Sequence, residues 1–138
     1  MKIEGLSHLT FIVRDLQRAV RFFCEGLGAD EVYDSKSRNF SLSREKFFLL
    51  NDIWIVCMEG ESNDARTYQH VALKIAEADL PLFELRLRAI DVEIKSPRTR
   101  VEGEGQSLYF YDYDDHLFER HTGTLEQRLD RYKAADNI

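Results

Sequence analysis

The hydrophobic and polar positions of the chain fall into two similar halves. Residues 6–13 (LSHLTFIV) form an apolar run that predicts a buried strand. Asp15 is placed to cap a helix, and Leu16, Ala19, Val20, Phe23 and Leu27 follow at helical spacing. Gly28 stands where such a helix would end in a left-handed residue. Short β-like runs come next at residues 40–43, 47–50 and 53–58, with Asn51-Asp52 as a hairpin turn between the last two.

The pattern then starts again. Residues 69–75 (QHVALKI) predict a strand, and Asp79 with Pro81 behind it opens a helix lined by Phe83, Leu87 and Ile90. Residues 92–95, 107–111 and 117–121 read as further strands, with Asp112-Tyr113-Asp114-Asp115 as the turn between the last two. Each half is thus β-α-β-β-β. The reading is one α+β domain over residues 1–138: module one at about 1–62, module two at about 67–123, and a C-terminal helix at about 124–135 suggested by Leu125, Leu129 and Tyr132.

Composition narrows the function. With 43% apolar and 12% aromatic residues, the chain can bury a core and is not a disordered one. The balance of 19 basic against 25 acidic residues, net −6, argues against nucleic-acid or anionic-membrane binding. A small anionic substrate would need a local basic pocket. No apolar run is long enough to span a membrane, and the N-terminus carries no apolar signal region. Cys24 and Cys57 lack C-x-x-C spacing, which predicts reduced thiols and a cytoplasmic setting.

The repeat places His8 and His70 at matching points of the first strand of each half. If the two sheets pack around a shared cleft, these imidazoles face each other, which suits a divalent metal. Glu119, on the last strand of the second half, completes a two-His, one-carboxylate set. Taken singly, a strand histidine is more often a satisfied core or surface residue and a strand glutamate usually faces solvent; the repeat relation favours the metal set. His116 adjoins a turn, where solvation accounts for it. His121 shares a strand face with Glu119 and reads as a neighbour of the site rather than a ligand. Cys57 follows His8 by the same interval as Glu119 follows His70, so it either approaches the metal or is a small buried hydrophobe. Glu45, within FSLSREKFF, is either a general base held near an apolar wall or a turn charge. The run KSPRTR, containing Arg98 and Arg100, is either an anion-holding loop or a solvated one. Arg128 lies on the C-terminal helix, where a surface role is open to it. Thr10 and Tyr109 are polar groups in strands that could hydrogen-bond a ligand, and Tyr109 could equally pack in the core.

The paired halves with GLSHLTFIVRDL, YQHVALKI and YDYDDHLFERHTGTLEQRL resemble the vicinal oxygen chelate superfamily, which includes the glyoxalase and bleomycin resistance proteins. Within it, FSLSREKFFLL, WIVCMEG and RVEGEGQSLYFYD are similar to the FosX branch of the fosfomycin resistance proteins, the metal-dependent hydrolases. The likeness covers roughly residues 3 to 132. It implies the paired β-α-β-β-β fold and Mn(II), or another divalent metal, held by His8, His70 and Glu119. It implies Glu45 as the general base that activates water for opening the fosfomycin epoxide. It further implies Thr10, Tyr109, Arg128 and a cation from Arg98 or Arg100 on the phosphonate. An intertwined homodimer with strands exchanged between chains is implied too, with metal ligands from both. A thiol transferase and a non-catalytic drug-binding protein of the same fold are the alternatives. Two positions depart from the pattern: Gln106, where an Arg is expected, and Arg120, where Leu or Ala is usual. On an alternating strand Arg120 should point away from the metal.

Overall fold

Two short sheets hold the candidate residues, and their registers decide which side chains share a face. The computed structural model describes residues 1–62, 65–95 and 105–137. In chain order these form β1 (His8–Val13), α1 (Leu16–Val20), β2 (Asp30–Asp34), β3 (Glu45–Leu50), β4 (Ile53–Glu59), β5 (His70–Lys74), α2 (Leu80–Ala89), β6 (Ser107–Tyr111), β7 (Leu117–His121) and α3 (Leu125–Asp136). The first sheet runs β1-β4-β3-β2 and the second β5-β7-β6. In each, the opening strand pairs parallel with the module's last strand, β1 with β4 and β5 with β7. This repetition is the α+β architecture of paired modules expected from the sequence.

The local signals act as their chemistry requires. The Asp15 carboxylate accepts from the backbone N–H groups of Gln17 and Arg18, satisfying donors that a helix start leaves free. After α1 the chain continues over Arg21–Gly26 in a wider π-type winding, with Leu27 N–H bonded to the Phe22 carbonyl at 3.1 Å. Phe22 and Phe23 of this segment both point inward, 1% and 0% exposed. Gly28 ends the segment at φ +81°.

Two strands differ from the sequence reading. Residues 40–43 form no strand; Phe40 and Leu42 are 69% and 91% exposed. The strand before β3 is instead β2, DEVYD, antiparallel to it. As an edge strand with mostly exposed side chains, β2 carries little apolar alternation to reveal it. Residues 92–95 contribute one isolated bridge, Ile94 to Phe110, in place of a strand.

One core serves both modules. Phe11, Phe22, Phe23 and Phe48 from the first meet Leu87, Ile90, Phe110 and Phe118 from the second. The rings of Phe22 and Phe118 lie 5.1 Å apart and those of Phe11 and Phe118 5.3 Å. Each such ring contributes roughly 1.5–3 kcal/mol by leaving water. Arg86 of α2 adds a polar tie, donating from Nε to the Glu25 carbonyl at 2.9 Å and from Nη2 to the Cys24 carbonyl at 3.1 Å. The Cys24 carbonyl also accepts from Gly28 N–H at 3.1 Å, so Arg86 reinforces a helix-end bond there and adds a donor to the Glu25 carbonyl.

Candidate metal centre

Strand alternation sends His8, Thr10 and Ile12 to one face of β1, and Phe11 and Val13 to the core. Across the sheet, His8 is level with Trp54, Thr10 with Val56 and Phe47, and Ile12 with Met58 and Glu45. Glu45 therefore shares the face of His8 and Thr10, two strands away. It heads β3, where its N–H donates to Ser35 Oγ at 2.9 Å and its carbonyl accepts from Ser35 N–H at 3.0 Å. It is 8% exposed, so it is no solvated turn charge. Its neighbour Lys46 points the other way and is held by Glu31 and Asp34. Burial opposes the Lys46 charge, yet the two carboxylates keep its pKa above the ordinary lysine value.

Cys57 is opposite Phe11 and Lys46, on the core side, and fully buried. It is the small hydrophobe of the two readings, turned away from His8. Burial pushes its thiol pKa well up.

The second sheet gathers more. His70, Glu119 and Tyr109 lie on one face, since Ala72 and Tyr109 flank Glu119 in register and His70 stands two residues before Ala72. His70 Nε2 is 3.4 Å from Glu119 Oε1. The Tyr68 carbonyl, 2.7 Å from His70 Nδ1, can only accept, so Nδ1 carries a proton. A neutral His70 then presents the bare lone pair of Nε2 to a carboxylate oxygen. Two electron-rich atoms so close require a cation between them, a proton or a metal. On this observation the donor set fits a divalent ion.

The ring of Tyr109 is 5.2 Å from His70, and its hydroxyl is 2.9 Å from that of Tyr68. Burial, with the Glu119 carboxylate and the Tyr68 hydroxyl, pushes its phenol pKa up, so Tyr109 stays protonated and able to donate. Arg128 reaches the same cluster: its Nη2 is 3.5 Å from His121 Nε2, and His121 Nδ1 is 3.4 Å from Glu119 Oε2. α3 is aimed there by a capping box at Thr124 and Gln127, a T-x-x-Q signal legible in the sequence. Thr10 and His70 meet along a groove of about 390 Å³ between β1 and β5, with Gln69 and His116 on its walls.

Within one chain His8 does not join His70 and Glu119: among the described residues no three His, Cys, Asp or Glu side chains converge on one point. The ring of His8 lies against Trp54 at 4.4 Å instead. Arg98 and Arg100 fall outside the described residues. Gln106 turns its amide to Glu77, 3.3 Å away. Arg120 faces away from the Glu119 side, as strand alternation requires, and is 6% exposed. Tyr68 and Ser107 are site neighbours that the sequence reading passed over. A tyrosine two residues before His70 and a serine two before Tyr109 were available signals.

The chain belongs to the Glyoxalase/Bleomycin resistance protein/Dioxygenase superfamily, whose family model matches residues 5–119. Within it, the chain is similar to the fosfomycin resistance protein FosX of Mesorhizobium japonicum, 54% identical over 94% of this chain and 93% of that one. FosX of Listeria monocytogenes is 52% identical over 94% of this chain and 98% of its own. A mutant of the genomically encoded Listeria monocytogenes FosX has been crystallised in complex with Mn(II) and 1S,2S-dihydroxypropylphosphonic acid. That structure matches at 49% identity and TM-score 0.85, covering 95% of this chain and 99% of that one.

Proposed function

We propose that this protein opens the epoxide of fosfomycin with water, as a Mn(II)-dependent hydrolase that confers resistance to the antibiotic. The likeness to FosX supplies the substrate, and the dihydroxy phosphonate bound to the Listeria protein is what water addition to that epoxide yields. On this chain the reading is carried by one observation: His70 Nε2 and Glu119 Oε1 face each other with only acceptor lone pairs when the imidazole is neutral.

His8, His70 and Glu119 would hold the ion, in a homodimer with strands exchanged, so that His8 of one chain meets His70 and Glu119 of the other. The separation of His8 from that pair within a single chain supports this arrangement. So do the exposed apolar side chains beside it: Ile12 and Leu49 on the first sheet, and Leu125, Leu129 and Tyr132 along α3. When bound, a divalent ion supplies Lewis acidity toward the ring oxygen. Arg128 neutralises the phosphonate, while Thr10 and the protonated Tyr109 donate hydrogen bonds that orient it; Arg98 or Arg100 is the further cation that the family resemblance assigns to the same role. Glu45 takes a proton from the attacking water. The water oxygen bonds to the carbon bearing phosphorus, the ring C–O bond breaks, and the ring oxygen takes up a proton to complete the diol.

The chain acts as a single domain of two modules. Among the described residues no helix is long and apolar enough to cross a membrane. Both cysteines are unpaired, which supports a reducing, cytoplasmic setting. Phosphorus NMR of fosfomycin with the protein and Mn(II) alone tests the reading. Diol in catalytic amounts, without added thiol, is the expected result. Turnover only with glutathione or another thiol, or stoichiometric protection without turnover, would replace it with a transferase or a drug-binding protein.

A further inference from the structure

The second oxygen of Glu119 has partners that lead back to α3. Ser107 Oγ is 3.2 Å from Glu119 Oε2 and 2.7 Å from His121 Nδ1. His121 Nε2 is 3.5 Å from Arg128 Nη2. The backbone builds this series: Ser107 is opposite His121 in the β6–β7 ladder, and His121 is two residues after Glu119, on its face. The capped start of α3 then carries Arg128 over the end of β7.

Counting donors leaves one arrangement. A guanidinium only donates, so His121 Nε2 accepts and bears no hydrogen. The neutral ring's hydrogen is then on Nδ1 and goes to Ser107 Oγ. The serine hydroxyl has one hydrogen, free for Glu119 Oε2. The other tautomer would set an N–H against the Arg128 N–H and ask one serine hydrogen to serve two acceptors.

We propose that His121 is a positioning residue, held as the Nδ1–H tautomer by Arg128. Through Ser107 it fixes Oε2 of the Glu119 carboxylate, and with it the orientation in which Oε1 faces His70 Nε2. The chain Arg128 to His121 to Ser107 to Glu119 ties the anion-binding end of the site to its metal-binding end. Its consequence for metal binding rests on the hydrolase reading; the tautomer does not.

The test uses the full-length protein labelled with ¹⁵N-histidine, without metal, at about pH 8, where an ordinary imidazole is neutral. The expected spectrum shows His121 protonated at Nδ1 and bare at Nε2. The Ser107→Ala variant should erode that preference. Manganese affinity, read by electron paramagnetic resonance, should fall about 10-fold or more in His121→Phe. His121→Asn, which keeps an N–H near the Nδ1 position, should restore most of it. An Nε2–H tautomer in the parent protein overturns the proposal. So does a folded His121→Phe variant that binds manganese as tightly as the parent. If the parent takes up no manganese, the hydrolase reading falls, and the hydrogen-bond chain is then decided by the tautomer alone.

Discussion

Replacing Arg120 with leucine removes a guanidinium two of whose three nitrogens are buried without a hydrogen-bond partner among the described residues. Arg120 is 6% exposed on β7, level with Leu73 and Leu108 on the neighbouring strands. Its Nε and Nη1 have no hydrogen-bond partner among the described residues. Burial lowers its pKa below the usual arginine value, and Glu84 offsets that only in part. Each unsatisfied buried donor costs about 1–3 kcal/mol. Leucine loses some of the packing of the arginine stem, on the order of 1–2 kcal/mol. Two such donors, about 2–6 kcal/mol together, less that packing leave about 0–5 kcal/mol, with a central expectation of about 1–3 kcal/mol. With an unfolding entropy of roughly 2.1 cal/mol/K per residue, 1 kcal/mol moves the melting temperature of a chain this size by about 3–4 °C. Arg120→Leu should therefore melt about 3–10 °C higher than the parent in calorimetry at matched protein concentration. Arg120→Met, which keeps more of the stem's length, should gain at least as much. If both variants melt lower, the guanidinium has a favourable partner and the argument from unsatisfied donors is wrong.

Other outcomes follow from the same geometry. Glu45→Gln should reduce fosfomycin hydrolysis by about 10²–10⁴-fold while leaving manganese affinity unchanged, and unaltered hydrolysis would remove Glu45 as the base. His8→Ala and Glu119→Gln chains, each inactive, should recover about a quarter of parent activity when mixed and refolded together, because half the dimers then hold one intact site; no recovery would place both ligands on one chain. His116 should show a pH-dependent contribution. Burial opposes its charge, but Asp112 at 2.7 Å, with Asp114 and Asp115 nearby, raises its pKa above the ordinary imidazole value. That stabilisation is full below about pH 6.5 and fades as pH climbs through the raised value. The parent should thus outmelt His116→Gln by more at about pH 5.5 than at about pH 8, and an equal margin would discount the ion pair. Arg86→Ala should lose about 2 kcal/mol, roughly 7 °C in melting temperature, since two module-one carbonyls lose a charged donor; a change under about 1 °C would show that water replaces it.

The sequence by itself determined the elements that local chemistry writes. Asp15, Gly28 and Pro81 mark helix ends through caps and backbone angles that need no distant partner. The alternation around His8, His70 and Glu119 fixed which way each side chain points, because strand geometry has a period of two. It likewise turned Arg120 away from Glu119. Edge strand β2 was hidden, since an exposed strand has no apolar rhythm, and residues 40–43 carry apolar side chains, Phe40 and Leu42, that stay exposed. Only the tertiary structure showed that Glu45 and Cys57 are both buried, on opposite faces of the same sheet. It alone brought Ser107 to Glu119 and Arg128 to His121, and set His70's tautomer through the Tyr68 carbonyl. Hydrogen-bond partners depend on register and helix placement, which the whole core sets and no short window of residues contains.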